Sequence, residues 1–288
     1  LPTLPKRLGI IGCGNIGIEF ANLYARLGAE VTAFESGDRI LKREDADVAA
    51  LAQQYLEEDG VRFHFNAVTK EIKNVGDTVV VVTKSGEEFV FDALLHATGR
   101  KANTEGLGLE NTDVQVRPNG SIVTDDTLMT AVQKIFAVGD VNGGQQFTYV
   151  SLDDFRIVNR VLHGDESYKL GNRAHVPYST FITPALSHVG LHEEEAKAQY
   201  PSAVTVALPV NNMPRHAVNQ DPRGVFKLTV NKDTGLILGA TLFGKNSEEL
   251  INIIKMAMDN DIKYTYLRDQ IFTHPTMAEN LNDLAKLI

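Results

Sequence analysis

Three glycines in Gly12-Cys13-Gly14-Asn15-Ile16-Gly17 lie between an apolar run, Arg7-Leu8-Gly9-Ile10-Ile11, and a helical pattern reaching Leu27. A strand that turns through glycines into a helix is suited to holding a pyrophosphate. The first glycine makes the tight turn, the second lets backbone touch the phosphates, and the third lets helix and strand pack closely. Gly12, Gly14 and Gly17 fit these needs in order, and Asn15 and Ile16 open the helix whose positive end faces the phosphates. The next strand, Glu30-Val31-Thr32-Ala33-Phe34, ends at Glu35. A carboxylate there accepts the adenine-ribose hydroxyls and repels the 2′-phosphate of NADP, so NAD(H) is the expected nucleotide. Arg39 is near enough to blur that preference. A merely structural glycine turn and a solvated loop carboxylate are the plain alternatives.

Two further places have chemical potential. Lys134-Ile135-Phe136-Ala137-Val138 reads as a short strand running into Gly139-Asp140, a glycine and carboxylate placed to meet a polyol or ribose, or an ordinary turn. Near the end, His274-Pro275-Thr276-Met277-Ala278-Glu279 reads as the opening of the final helix, with Pro275 in its first turn and Glu279 within reach of the imidazole. A carboxylate partner fixes a tautomer, as an acid/base histidine needs, although a helix-cap histidine is the simpler use. Cys13 is the one cysteine. It sits in the turn as a small filler rather than as a nucleophile. His64 and His96 lie singly in apolar strands without partners at metal-ligand spacing, so no metal site is expected.

These residues need elements to hold them. After the first strand-helix-strand, Asp47 to Asp59 has apolar residues at helical spacing and Val61 to Phe65 alternates as a third strand, completing a βαβαβ half of the Rossmann type. Val79 to Val82 and Glu88 to Phe91 form a hairpin around Ser85-Gly86, and Asp92 to His96 returns as a strand into Ala97-Thr98-Gly99-Arg100. Val150 to Leu162 is helical. The last third reads as a separate α+β domain, with strands over Pro177 to Ile182 and Val204 to Leu208, a helix over Glu193 to Tyr200, and a hairpin of Val225 to Val230 with Leu236 to Leu242. Ser247 is the expected cap of a helix with Leu250, Ile253, Ile254, Ala257 and Met258 on one face.

With 288 residues the chain has room for two or three domains, and its net charge of −9 disfavours nucleic acid and anionic membrane as main partners. No apolar run reaches the roughly 20 residues that span a bilayer, and Leu1-Pro2-Thr3-Leu4-Pro5 is no signal peptide, so a cytoplasmic enzyme is the expectation.

The series Gly12-x-Gly14-x-x-Gly17-x-Glu19, Glu35, Ala97-Thr98-Gly99-Arg100 and Ile135-Phe136-Ala137-Val138-Gly139-Asp140 resembles the class I pyridine nucleotide-disulfide oxidoreductases. That family includes lipoamide dehydrogenase, glutathione reductase and mercuric reductase. Thr148 to Asp154 and the C-terminal third add a likeness to its reactive-chlorine-resistance branch. The resemblance implies an α/β chain in three parts: a Rossmann-like NAD(H) domain over 1–103, the second segment of an FAD domain over 104–171, and a dimerisation domain over 172–288. It implies hydride transfer from NADH to FAD, then electrons to a cysteine pair and an acceptor that is a disulfide, a metal ion or quinone-like. It makes Gly99, Gly139 and Asp140 cofactor contacts and Glu19 the partner of a lysine near the nicotinamide. His274, with Glu279, would serve the dithiol of the other subunit of a homodimer.

The family's first flavin-binding segment and its Cys-x4-Cys pair are not in these residues. The expectation is a C-terminal fragment that binds NAD(H) and dimerises, retains no FAD and does not turn over; a self-contained, non-enzymatic NAD-binding module is the alternative. Asn15 replaces an aromatic that covers the flavin in several relatives, which puts that gating in doubt. Lys101-Ala102-Asn103 replaces Arg-Pro-Asn, a peripheral change. The absence of C-terminal cysteines argues against a mercuric-reductase-like relay.

Overall fold

A computed structural model describes residues 3–288; Leu1 and Pro2, which open the expected NAD(H) domain and the N-terminus read as no signal peptide, lie outside the described residues. One compact unit takes in the chain up to Thr98 together with Pro177–Ile288, and the other is Gly99–Val176.

The first unit begins as expected. Strand β1 (Arg7–Ile11) leads into helix α1 (Asn15–Arg26), β2 (Glu30–Phe34), α2 (Ala46–Glu58) and β3 (Val61–His64). A three-stranded antiparallel excursion follows, β4 (Thr69–Val75), β5 (Thr78–Thr83) and β6 (Glu88–Phe91), before β7 (Ala93–His96) rejoins the first sheet. That sheet has the order β3-β2-β1-β7 and is parallel throughout. Helix crossovers cover parallel strands, so an interior strand such as β1 reads as an apolar run. Leu8 and Ile10 of β1 pack with Ile18 and Ala21 of α1 in one buried cluster, which fixes α1 over the strand from which it sprang. Strand β4 has no sequence signal because every one of its residues is exposed or half-exposed, so no buried face imposes alternation.

The second unit is largely irregular. Helix α3 (Thr148–Leu162) buries Val150, Asp154 and Ile157, and Val114, Ile122 and Ala137 form a small core. The strand expected over Lys134 to Val138 does not form: Lys134 has φ +66°, incompatible with extended geometry, and only an isolated bridge joins Met129 to Phe136.

The chain then returns to the first unit with β8 (Tyr178–Thr180), β9 (Leu186–Gly190), α4 (Glu193–Gln199), β10 (Ala203–Pro209), α5 (Arg215–Asn219), β11 (Val225–Asn231), β12 (Ile237–Phe243), α6 (Ser247–Asp259), α7 (Tyr264–Asp269) and α8 (Asn280–Lys286). The sheet is antiparallel in the order β10-β11-β12-β9-β8. Strand β9 escaped the sequence reading because Leu186, Ser187, His188 and Val189 are all buried, which erases the alternation that marks a half-exposed strand. Helix α6 seals the sheet with Leu250, Ile251, Ile254, Ala257 and Met258, and Ile253 is only partly buried. Ser247 is not its cap. Asn246 precedes the helix at φ +64°, while the buried Ser247 hydroxyl donates to Ala185 O at 2.7 Å. Ile182, Leu186 and Phe243 join the cluster that holds Leu8, Ile10 and Val31, so the parallel sheet and the five-stranded antiparallel sheet of this unit share a core. Among the described residues, no helix is long and apolar enough to cross a membrane.

Candidate functional site

At the end of β1 the three glycines differ in what surrounds them. Gly12 has φ +99°, and a Cβ there would sit 2.6 Å from Ala97 O. A Cβ on Gly17 would collide with the carbonyl oxygen of Gly12. Gly14 differs from both, because among the described residues nothing lies within 4 Å of where its Cβ would be. The first and third glycines are therefore required by the protein's own packing, and the second leaves a space that a ligand can enter. Among the described residues no side chain caps α1, so its first-turn N–H groups face that opening beside the exposed Ile16. The turn is tied to both neighbouring strands, with Gly12 N donating to Phe34 O at 2.9 Å and Ala97 N to Ile11 O at 2.8 Å.

Glu35 follows β2 directly, and it is buried rather than a solvated loop carboxylate. Its Oε2 accepts from Cys13 N at 3.2 Å; its Oε1 accepts from Gly37 N at 2.9 Å, Ser36 Oγ at 3.2 Å and Lys42 Nζ at 2.8 Å. Burial pulls this carboxyl upward, but the Lys42 ammonium and the two backbone donors outweigh it and hold it below the ordinary range. Arg39 is turned elsewhere, its guanidinium donating to Glu44 O at 3.1 Å and Lys42 O at 2.9 Å. Lys42 was not singled out from sequence; its place seven residues beyond Glu35, across a loop, gives no periodic signal. Cys13 is buried, and burial followed by the Glu35 charge pushes its thiol up to about 12, which leaves it inert.

On α1, Glu19 and Asn22 stand one turn apart and hold the strap that follows β8. Phe181 N donates to Glu19 Oε1 at 2.8 Å and Thr183 N to Asn22 Oδ1 at 3.0 Å. Burial raises the Glu19 carboxyl, and the Phe181 N–H offsets part of the rise.

His274 and Glu279 meet as expected, with Nδ1 to Oε2 at 2.6 Å. Glu279 Oε1 accepts from Thr276 N at 3.0 Å, so the carboxylate joins the imidazole to the loop backbone. An ionised carboxylate only accepts, so Nδ1 is the donor toward Glu279 and Nε2 takes no part in that bond. The imidazole is 71% exposed. Pro275 does not start the helix: the His274–Pro275 peptide is cis, α8 begins at Asn280, and Arg215 Nη1 holds Pro275 O at 2.8 Å.

In the second unit Gly99 is exposed at φ +122°, and Gly139 is buried at φ +70°. Asp140 is exposed, with Arg100 Nη1 at 3.4 Å. The buried carboxylate here is Asp154 of α3, which accepts from Gly139 N at 2.7 Å and Asn142 Nδ2 at 2.8 Å and pairs with Arg173. It fixes the turn from behind and leaves Asp140 facing out. A cleft of about 530 Å³ lies over this turn, lined by Arg100, Val138, Asp140, Phe147, Tyr149 and Ser151. The polar and aromatic lining suits a sugar-phosphate and ring ligand.

Among the described residues, Glu44, His188 and His192 form the one group with metal-ligand character. The two imidazoles stack at 3.7 Å with an interplanar angle of 11°, so no single ion can lie in both ring planes. His188 spends Nδ1 on Thr241 Oγ1 at 2.8 Å and Nε2 on Gly190 O at 3.0 Å, while Tyr178 donates to Glu44 Oε1 at 2.6 Å. Among the described residues, Glu44 Oε2 and His192 Nδ1 have no hydrogen-bond partner. Burial lowers His188 to about 4, keeping it neutral.

Lys227 anchors the loop beyond Glu35. Its buried ammonium reaches Asp45 at 2.8 Å, Glu193 at 2.9 Å and Asp47 at 3.0 Å, and these carboxylates hold it above the ordinary lysine range although burial opposes them.

The family model described as pyridine nucleotide-disulphide oxidoreductase matches residues 1–154, and the model of that family's dimerisation domain matches 176–285. The "probable pyridine nucleotide-disulfide oxidoreductase RclA" of Escherichia coli is 45% identical over 288 residues, covering 100% of this chain and 65% of the relative. A mercuric reductase of Lysinibacillus sphaericus is 34% identical, covering 98% of this chain and 52% of the relative. The solved "Cu(II) complex of HOCl-induced flavoprotein disulfide reductase RclA" from E. coli superposes with a TM-score of 0.95 at 44% identity, over 100% of this chain and 65% of that one. The chain thus spans between about half and two thirds of the relatives it matches.

Proposed function

Because this chain belongs to the pyridine nucleotide-disulphide oxidoreductase family, we propose that it is the nucleotide-binding and dimer-forming portion of an NADH-dependent flavoprotein reductase. The observation that carries this reading is the space at Gly14, open in front of an uncapped helix end and beside a strand-end carboxylate. Residues 1–103 hold NADH, 104–171 contribute the second part of a flavin site, and 172–288 form the homodimer contact.

FAD, when bound, supplies a ring that accepts hydride and passes electrons to thiols. Asp140, turned outward by Asp154, and Gly139 suit its sugar-phosphate portion, and the cleft over them fits such a group. Glu19, its carboxyl raised by burial and its orientation set by Phe181 N, lies beside the nicotinamide end. His274 holds and releases a proton at Nε2 for the dithiol of the partner subunit, with Glu279 keeping the imidazole in place. The acceptor is a disulfide, a metal ion or a quinone-like molecule. The copper complex of the E. coli relative and the mercuric reductase favour the metal among them.

The 288-residue chain binds NADH without turnover. In a fluorescence titration, Gly14→Ala should weaken NADH at least about tenfold, while its stability changes by less than about 1 kcal/mol because the position is a helix N-cap with room for a methyl. Unaltered affinity in the variant, or NADH oxidation by this chain without the flavin segment and cysteine pair, would overturn the proposal.

A further inference from the structure

The Glu35 carboxylate was expected to exclude a 2′-phosphate, yet its surroundings weaken that exclusion. Four donors already converge on it, and one of them is a cation. The backbone donors from Cys13 and Gly37 are fixed by the turn. Lys42 is different. Its side chain is 52% exposed, and its ammonium lies over Gly37, whose missing side chain makes the room. The backbone beneath it is held, since Lys42 O accepts from Arg39 and the loop ends at Glu44 and Asp45, anchored on Tyr178 and Lys227. A half-exposed ammonium on a held backbone can leave Glu35 when ribose hydroxyls take its place, or stay and meet a phosphate.

We infer that Lys42 is the nucleotide-selectivity residue of this site, and that it lets the site accept NADPH as well as NADH. With NADH, the ribose hydroxyls replace Lys42 and Ser36 on Glu35. With NADPH, Lys42 neutralises Glu35 and contributes a charge-assisted bond to the 2′-phosphate. Arg39 takes no part, because its guanidinium is committed to backbone carbonyls. The inference rests on the nucleotide reading of the glycine turn.

The test is titration of the purified protein and of K42M and K42R with NADH and with NADPH, read by nucleotide fluorescence at one salt concentration. Wild type should bind the two within about tenfold of each other. Loss of a hydrogen bond to a charged group should make K42M bind NADPH about tenfold or more weakly, with NADH moving less than about threefold; K42R should keep most of the NADPH affinity. Glu35 keeps its donors from Cys13, Gly37 and Ser36 in both variants, and a thermal melt of each checks that it is folded before titration. A K42M variant in which both affinities move together, or a wild type that discriminates against NADPH by more than about a hundredfold, overturns the inference while leaving NADH binding intact. If neither nucleotide binds the wild type, the nucleotide reading itself falls and takes the inference with it.

Discussion

Two carboxylates selected from sequence as ligand contacts, Glu35 and Asp140, have opposite surroundings. Glu35 is buried, receives four donors and holds together the turn, the loop and Lys42. Asp140 is exposed with Arg100 at 3.4 Å, and the structural task in its unit belongs to Asp154 behind it. A carboxylate read from sequence as a ligand contact can therefore be part of the scaffold that shapes a site, or be held out from that scaffold as a contact. Substitution at the first should cost stability, and at the second only binding.

The largest effect is expected one step behind the contact. Asp154→Ala removes one of the two carboxylates that hold the part-buried Arg173 and the acceptor of two further donors, so the lost hydrogen bonds to a buried charge should together destabilise the protein by about 3–5 kcal/mol in chemical denaturation. A loss below 1 kcal/mol would show that the turn at Gly139 is held by something else. Glu35→Gln should cost about 1–3 kcal/mol through its charged hydrogen bonds, and the loss should depend on pH. The folded carboxyl lies below its ordinary value, so its contribution is complete above that value and disappears as pH falls through the folded one. Stability curves of wild type and Glu35→Gln should converge toward acid; a constant gap would break the assignment. Asp140→Asn should change stability by less than about 0.5 kcal/mol, as surface substitutions do. A thermal shift comparable to that of Glu35→Gln would erase the contrast between the two.

Legibility in the sequence followed the same division. The glycine turn, Glu35 and the parallel strands were readable because each is local: a strand, a turn and a helix start lie within one short stretch. The pairing of His274 with Glu279 was readable for the same reason, although the backbone between them was not, since the helix starts at Asn280. Lys42, Asp154 and the strap on Glu19 were not readable, because each acts on a residue across a loop or along the chain with no periodicity to betray it. The strand expected at Lys134 failed on one backbone angle, and β9 was hidden by burial on both faces.

Cys13, the chain's one thiol, is sealed within the turn and held protonated at neutral pH. An alkylating reagent reaches it only when the phosphate turn opens, so its slow labelling serves as a clock for that opening. A bound nucleotide, by closing the turn, would slow the clock without touching the sulfur.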